Sequence, residues 1–128
     1  MTNQRQPSET KMVIVMRKDL NMTKGKYVAQ GSHAAVAVVR QIEHGNDEAQ
    51  KKMLEKWLND SYVKVCVYVK SLEDLEEIYE KAKENHLAVS YITDNGLTMF
   101  NGIKTDTCLA VLGYREDVDI VTGHLPLL

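Results

Sequence analysis

Residues 22–34 have the sequence Met-Thr-Lys-Gly-Lys-Tyr-Val-Ala-Gln-Gly-Ser-His-Ala, which predicts the first turns of a helix. Thr23 is the expected N-cap, because its hydroxyl can accept a hydrogen bond from a free amide of the first turn. Lys24 and Lys26 then lie at the positive end of the helix dipole, which disfavours cations. We expect a phosphate or a developing oxyanion to offset that charge.

One stripe of this helix carries polar chemistry. Lys26, Gln30 and His33 are spaced i, i+4 and i+7, so an ammonium, an amide and an imidazole share one face. Small residues between them allow another face to approach a sheet closely. We therefore expect the rest of the chain to complete the polar face.

Apolar periodicity and turn residues predict four strands and four helices in the order βααβαββα. The predicted strands are residues 11–17, 62–69, 87–93 and 107–112. The predicted helices are residues 24–43, 48–59, 72–86 and 116–122. Strands joined through helices should run parallel, so we expect a three-layer α/β/α fold with a mixed four-stranded sheet.

Two details of packing follow from the same patterns. The apolar stripe of the first helix is predicted to be Val28, Ala35, Val36, Val39 and Ile42. The C-terminal residues 125–128 are predicted to fold their apolar side chains back onto the body of the protein.

The chain of 128 residues is expected to form one domain, residues 11–128, after a disordered tail of residues 1–10. It has no apolar run of roughly 20 residues and no signal-peptide core, so we expect a cytoplasmic protein without a membrane span. Cys66 and Cys108 are expected to be buried free thiols, as is usual in a reducing compartment.

The net charge of −2 argues against a generic nucleic-acid-binding protein, but the charge is unevenly distributed. Residues 1–40 contain seven basic and two acidic residues, and the remainder contains nine and sixteen. A basic region on an acidic body suits a specific anionic ligand better than non-specific DNA binding. Uneven surface charge without function is an equally acceptable interpretation of the distribution alone.

The predicted topology brings distant polar residues to one edge of the sheet. Ligands of open α/β sheets bind beyond the carboxyl ends of the parallel strands. Lys26 follows the first strand and Asp94 follows the third. If the fourth strand is antiparallel to the third, Thr98, Thr105 and Thr107 also lie near this edge.

Three motifs resemble the signatures of the type 2 peptidyl-tRNA hydrolases. Residues 11–34 contain K-M-V-I-V-M-R-x-D-L-x-M-x-x-G-K-x-x-A-Q-x-x-H-A. Asp94-x-Gly96-x-Thr98 is followed by a strand that begins Thr-Cys-Leu-Ala at residue 107, and the chain ends with Val-Thr-Gly-His-Leu from residue 121. The family usually has Gly-Pro where this chain has Leu-Gly-Tyr at residues 112–114, and it tends to be more basic.

The resemblance implies a peptidyl-tRNA hydrolase-like domain over residues 11–128, with a mixed four-stranded α/β fold. It implies hydrolysis of the ester that joins a peptide to the terminal ribose of tRNA, and therefore peptidyl-tRNA as the partner. No metal or organic cofactor is implied. Because members of the family are often dimers, the resemblance also predicts a homodimer.

The residue chemistry is compatible with ester hydrolysis, which needs an activated water and a stabilised oxyanion. Asp94 could orient or deprotonate the water, although an Asx turn is the alternative explanation of Asp-Asn-Gly. Lys26 could stabilise the oxyanion or hold a phosphate. Thr98 could donate a hydrogen bond to the substrate. His33 is either a proton relay or a core histidine.

The remaining candidates would bind rather than transform the substrate. Gln30, Thr105 and Thr107 are expected to contact the substrate. The alternative for Gln30 is a solvated helix side chain, and the alternative for the two threonines is a structural role. The candidate phosphate contacts are Arg17, Lys18 and Lys24, for which solvated surface charge is a comparable alternative.

Other chemistries lack their motifs. The sequence has no Walker loop, no G-x-G-x-x-G and no G-x-S-x-G, and its histidines lack zinc spacing. From the resemblance we predict a peptidyl-tRNA hydrolase that uses water as nucleophile, and the resemblance implies that it needs no cofactor. The alternatives are a non-catalytic adaptor with the same fold that binds an RNA end or a protein, and a hydrolase of a different small ester.

Overall fold

The computed structural model describes residues 9–128, so residues 1–8 of the tail predicted for residues 1–10 lie outside the described part. Thr10, expected in the tail, is buried and begins the first strand. The strands are β1 (Thr10–Arg17), β2 (Val63–Val69), β3 (Ala88–Asp94) and β4 (Thr105–Tyr114). The helices are α1 (Lys24–Glu43), α2 (Glu48–Asn59), α3 (Leu72–Glu84) and α4 (Arg115–Thr122), with a short 3₁₀ turn at Phe100–Gly102.

The four strands form one mixed sheet in the order β2-β1-β4-β3, which confirms the predicted element order and fold class. β1 and β2 are parallel, and β4 is antiparallel to both β1 and β3. The carboxyl ends of β1, β2 and β3 therefore share one edge of the sheet with the start of β4. In the register, Asp94 at the end of β3 lies opposite Thr105.

Helices cover both faces of the sheet, because the residues of β1 and β4 alternate between two apolar cores. On one face, α1 and α2 pack onto Met12, Met16, Cys108, Ala110 and Leu112. On the other face, α3 and α4 pack onto Val13, Val15, Leu109 and Val111. This arrangement confirms the three-layer architecture.

The predicted apolar stripe of α1 is wrong at Val28 and Val36, which are 70% and 58% exposed. The helix instead buries Gln30, Gly31, Ala34, Val38 and Ile42. Gly31 lies on this buried side, where a Cβ would be in ordinary van der Waals contact with the Met16 methyl carbon at 3.4 Å. A small residue therefore faces β1 on the buried side of the helix.

The C-terminal segment differs in part from the prediction. Leu125 packs against the core, but the side chains of Leu127 and Leu128 are exposed. The segment is held by its backbone instead, because Tyr68 N–H donates to the Pro126 carbonyl and Leu128 N–H to the Cys66 carbonyl. These bonds pair part of the otherwise open edge of β2.

Candidate active site

The site begins at the N-terminus of α1. The Thr23 hydroxyl accepts a hydrogen bond from the Lys26 amide at 3.2 Å, which confirms Thr23 as the N-cap. The first turn contains no acidic residue, so the helix itself supplies nothing to balance the Lys26 ammonium. Because α1 starts soon after β1 ends, the Lys26 side chain lies at the carboxyl edge of the sheet.

Lys26 meets two residues that are far away in the sequence. Its Nζ lies 3.0 Å from Asp94 Oδ1 and donates to Thr98 Oγ1 at 2.7 Å. The Lys26 and Asp94 side chains are only 10% and 15% exposed. The topology thus brings these groups together as expected. Asp94 supplies a negative charge that offsets Lys26 from outside the helix.

Asp94 accepts three hydrogen bonds. Oδ1 accepts from Lys26 and from the Gln30 side-chain amide at 3.2 Å, and Oδ2 accepts from the Gly96 amide at 2.9 Å. Burial raises the pKa of Asp94, but these hydrogen bonds and the Lys26 charge outweigh it, so the pKa lies below its usual value. The Asx turn proposed as an alternative is present too, and it fixes the carboxylate that Lys26 binds.

Gln30 and Thr107 lie beneath Asp94 and are buried. The Thr107 hydroxyl donates to Gln30 Oε1 at 2.5 Å, while Gln30 Nε2 donates to Asp94. The expectation that these two residues contact the substrate is therefore wrong for Thr107, whose hydroxyl has no exposed surface. Thr107 is skipped in the pairing of β3 with β4, since Ile92 lies opposite Cys108 and Thr93 opposite Asp106. At this irregularity the Thr107 hydroxyl reaches Gln30 of α1 and orients it, and Gln30 in turn orients Asp94.

A cavity of about 590 Å³ opens above these residues. Its polar wall contains Lys26, Asp94 and Thr98, and His33 also lines it. His33 is exposed, which excludes the core-histidine alternative. Sequence reasoning missed the apolar part of the wall, formed by Ala29, Leu97 and Met99.

The segment between β3 and β4 holds a further missed contact. The Phe100 ring centroid lies 5.8 Å from Lys26 Nζ, within range of a cation–π interaction. Phe100 has a positive φ of 64° and lies between the predicted third and fourth strands, where the sequence carries no periodic signal.

Two other predicted binding residues have structural contacts instead. The Arg17 guanidinium donates to both Asp19 carboxylate oxygens and to the Asp106 carbonyl, so it ties β1 to β4 and is poorly placed for a phosphate. The Thr105 hydroxyl donates to the Ile103 carbonyl and does not line the cavity. The substrate-binding predictions for these two side chains are therefore wrong in this geometry.

Lys18 and Lys24 are exposed near the same edge of the sheet. Lys18 Nζ lies 4.4 Å from the centroid of the Tyr68 ring, where a cation–π contact leaves its charge facing solvent. Lys24 is in the first turn of α1, two residues before Lys26. Neither side chain lines the cavity, so both could contact only parts of a ligand that extend beyond it.

The described residues offer little to competing chemistries. Cys66 and Cys108 are free thiols, and burial raises the pKa of both, that of Cys108 to about 12, which disfavours a thiolate nucleophile. Residues 9–128 contain no cluster of three His, Cys, Asp or Glu side chains that could hold a metal ion. Over the same residues, no helix has both the length and the apolar character needed to cross a bilayer.

The mixed sheet and the Lys26–Asp94 pair beside it define a small α/β protein with a polar cavity at the carboxyl ends of its parallel strands. The family described as "Peptidyl-tRNA hydrolase PTH2" matches residues 10–128, and the chain belongs to this family. The resemblance seen in the sequence motifs is thereby confirmed.

Named relatives agree with this assignment, and a solved structure shares the fold. The protein named peptidyl-tRNA hydrolase from Sulfurisphaera tokodaii is 44% identical over 93% of this chain and 98% of the relative. One of the same name from Methanocaldococcus jannaschii is 40% identical over 92% of this chain and 99% of the relative. A protein of unknown function from Agrobacterium tumefaciens strain C58 shares the fold, with a TM-score of 0.62 at 15% identity over 94% and 98% of the two chains. None of these findings favours the adaptor alternative.

Proposed function

We propose that this chain hydrolyses the ester bond between peptide and tRNA in peptidyl-tRNA and releases the tRNA for reuse, with water as the nucleophile. The observation that carries the proposal is the contact of Lys26 with Asp94 and Thr98 at the wall of an open cavity, in a chain of this family. The cavity joins an anchored cation, a carboxylate and a hydroxyl, which are the groups that ester hydrolysis by water needs.

Lys26 stabilises the oxyanion that forms when water attacks the ester carbonyl. Its ammonium is held by Asp94 and Thr98 before substrate arrives, so little reorganisation is needed during the reaction. The Thr98 oxygen accepts from Lys26, which leaves the Thr98 hydrogen free to donate to the substrate.

Asp94 orients the attacking water. A carboxylate offers about four lone-pair positions, and the three hydrogen bonds to Asp94 leave one of them, on Oδ2, for a water molecule. Its lowered pKa makes Asp94 a weak base, so positioning the water is the role that the geometry supports better than removing its proton. His33, exposed on the same wall, takes the proton that the attacking water loses and passes it to the leaving ribose oxygen.

The test is single-turnover hydrolysis of peptidyl-tRNA by the wild type and by Lys26→Ala and Asp94→Ala variants. We expect each substitution to lower the rate by at least ~10²-fold, since each removes a group that acts in the transition state. Lys52→Ala and Asp60→Ala remove exposed charges on and next to α2 and should leave the rate unchanged. Full activity in both site variants, with folding checked by circular dichroism, would disprove the assigned roles.

We further propose that Lys18 and Lys24 contact phosphates of the tRNA. Both are exposed at the carboxyl edge of the sheet, outside the cavity, where the acceptor end of a tRNA would continue. Peptidyl-tRNA arises during translation, which supports a cytoplasmic location for the enzyme.

Finally, we propose that two copies can form a homodimer through α1. Val28 and Val36 supply exposed apolar surface two helical turns apart on one side of this helix. Light scattering of the wild type should give the mass of a dimer, and Val36→Glu should give that of a monomer. A wild-type mass equal to one chain at micromolar concentration would contradict this proposal.

A further inference from the structure

Leu97 is an apolar side chain in an unusual place. The residue is 87% exposed, which is more than any other large apolar residue in the range 9–128. It lines the same cavity as Lys26 and Asp94 and directly precedes Thr98, whose hydroxyl contacts Lys26. An exposed leucine far from a site needs no explanation, but one beside the reacting groups would contact whatever is bound there.

The cavity has two chemically different walls. Lys26 and Asp94 are the formally charged residues among those that line it, and they neutralise one another. Ala29, Leu97 and Met99 supply apolar surface without charge. A phosphate has no partner on that apolar wall, whereas the exposed Lys18 and Lys24 lie outside the cavity. The apolar wall therefore suits a part of the substrate other than the tRNA backbone.

We infer that Leu97 contacts the side chain of the amino acid esterified to the tRNA, and makes the enzyme prefer large apolar residues at that position. This inference rests on the proposed function. The ester carbonyl must lie within reach of Lys26, and the side chain of the esterified residue branches one carbon from that carbonyl. The adenine base is separated from the same ester by a ribose ring, so it lies farther from a residue adjacent to Thr98.

The preference should be visible in kcat/KM when two substrates are compared, one with a large apolar side chain and one without a side chain. Only the first can contact Leu97 in the transition state. The same tRNA is charged with N-acetylphenylalanine or with N-acetylglycine, so the two substrates differ only in the side chain. We expect Leu97→Ala to lower kcat/KM about tenfold for the phenylalanyl ester and to change it less than about twofold for the glycyl ester.

Ile103→Ala is the matched control. Ile103 is an exposed apolar residue of the same segment between β3 and β4, but it does not line the cavity. It should leave both values of kcat/KM unchanged. Because both side chains are exposed, neither substitution should disturb folding, and a urea transition checks this.

The outcomes separate the inference from the function on which it rests. Failure of the wild type to hydrolyse either ester would reject the proposed function. Hydrolysis of both esters with an equal loss in Leu97→Ala would place the contact on the tRNA end, and no loss for either ester would mean that Leu97 makes no contact. Each of these last two results would overturn the inference while leaving the proposed function intact.

Discussion

At the scale of single residues, the site is a chain of hydrogen bonds that begins inside the protein. Thr107 donates to Gln30, Gln30 donates to Asp94, and Asp94 accepts from Lys26. Each member has one arrangement that satisfies its neighbour, because the Asp94 carboxylate can only accept, so the Gln30 nitrogen must face Asp94 and the Gln30 oxygen must face the Thr107 hydroxyl. The position of Asp94 thus depends on a hydroxyl that never meets the substrate.

Thr107→Val should reveal that dependence. It keeps the shape of the side chain but leaves Gln30 Oε1 buried without a donor, at a cost of about 1–3 kcal/mol in the free energy of unfolding. We expect kcat to fall roughly tenfold with little change in KM, because the loss acts on the placement of Asp94. Thr107→Ser keeps the hydroxyl and should restore most of kcat.

Thr105→Val is the control for this experiment. The Thr105 hydroxyl donates to the Ile103 carbonyl at the edge of the sheet, so its removal should not affect kcat. Equal kcat values in the Thr107→Val and Thr105→Val variants, both folded at the assay temperature, would show that Thr107 does not position the site.

The lowered pKa of Asp94 predicts how stability depends on pH. Because the folded-state pKa lies below the unfolded value of about 4, the stabilisation is fully present above that pH and is lost as the pH falls through the folded pKa. Urea unfolding should show the wild type to be more stable than Asp94→Asn at neutral pH, with a difference that shrinks below about pH 4. A difference that grows as the pH falls would contradict the sign of the shift.

At the scale of elements, the segment between β3 and β4 forms part of the cavity wall, and its backbone conformation is constrained. Gly96, Phe100, Asn101 and Gly102 all have positive φ values, which are uncommon outside glycine. Gly96 also donates its amide to Asp94, so the turn and the carboxylate are fixed together. Such constrained backbone is maintained only where the surrounding contacts determine it.

The two glycines of this segment make a matched pair of variants. At Gly96 φ is +80°, and a Cβ would lie 2.4 Å from the Ile103 carbonyl oxygen, so Gly96→Ala must displace the segment. At Gly102 φ is +76°, but a Cβ would meet nothing within 4 Å. We expect Gly102→Ala to lower the free energy of unfolding by about 1–2 kcal/mol, the cost of the left-handed conformation alone.

Gly96→Ala should cost more and should also reduce the rate of hydrolysis, because it moves the amide that holds Asp94. Thermal unfolding and single-turnover rates measured on both variants separate the two effects. If Gly96→Ala is no more damaging than Gly102→Ala in either measurement, the segment does not position the carboxylate.

The elements also show where sequence reasoning succeeds and where it stops. The bounds of α1 and α2 match the prediction, because caps and breakers such as Thr23, Asp47 and Gly45 act locally. The buried side of α1 was mispredicted, because it depends on which residues face the sheet, such as Gly31 beside Met16, and not on the large apolar residues of the helix alone. The pairing of Lys26 with Asp94 could be predicted from the topology. The burial of Thr107 could not, because it follows from the covering of both faces of β4.

At the scale of the whole molecule, the charged residues of the cavity differ from the lysines that we propose bind tRNA. Inside the cavity Lys26 is neutralised by Asp94, so this lysine adds little to long-range attraction. Arg17 is likewise engaged by Asp19. Because the net charge of the protein is −2, the proposed attraction of tRNA must come from exposed lysines at the edge of the sheet, in particular Lys18 and Lys24.

The salt dependence of tRNA binding therefore tests how the whole surface is used. The affinity for tRNA falls as salt rises, and each phosphate contact that is lost makes the negative slope of log K against log salt shallower by about 0.7–0.9. We expect Lys24→Gln to make the slope shallower by this amount when binding is measured at about 50 to 200 mM salt and constant pH. Arg17→Gln should leave the slope unchanged, because its guanidinium is already bound to protein oxygens. Lys52→Gln, which removes an exposed charge of α2, is the control. Equal slopes for Lys24→Gln and Lys52→Gln would show that the edge beside the cavity does not bind the tRNA.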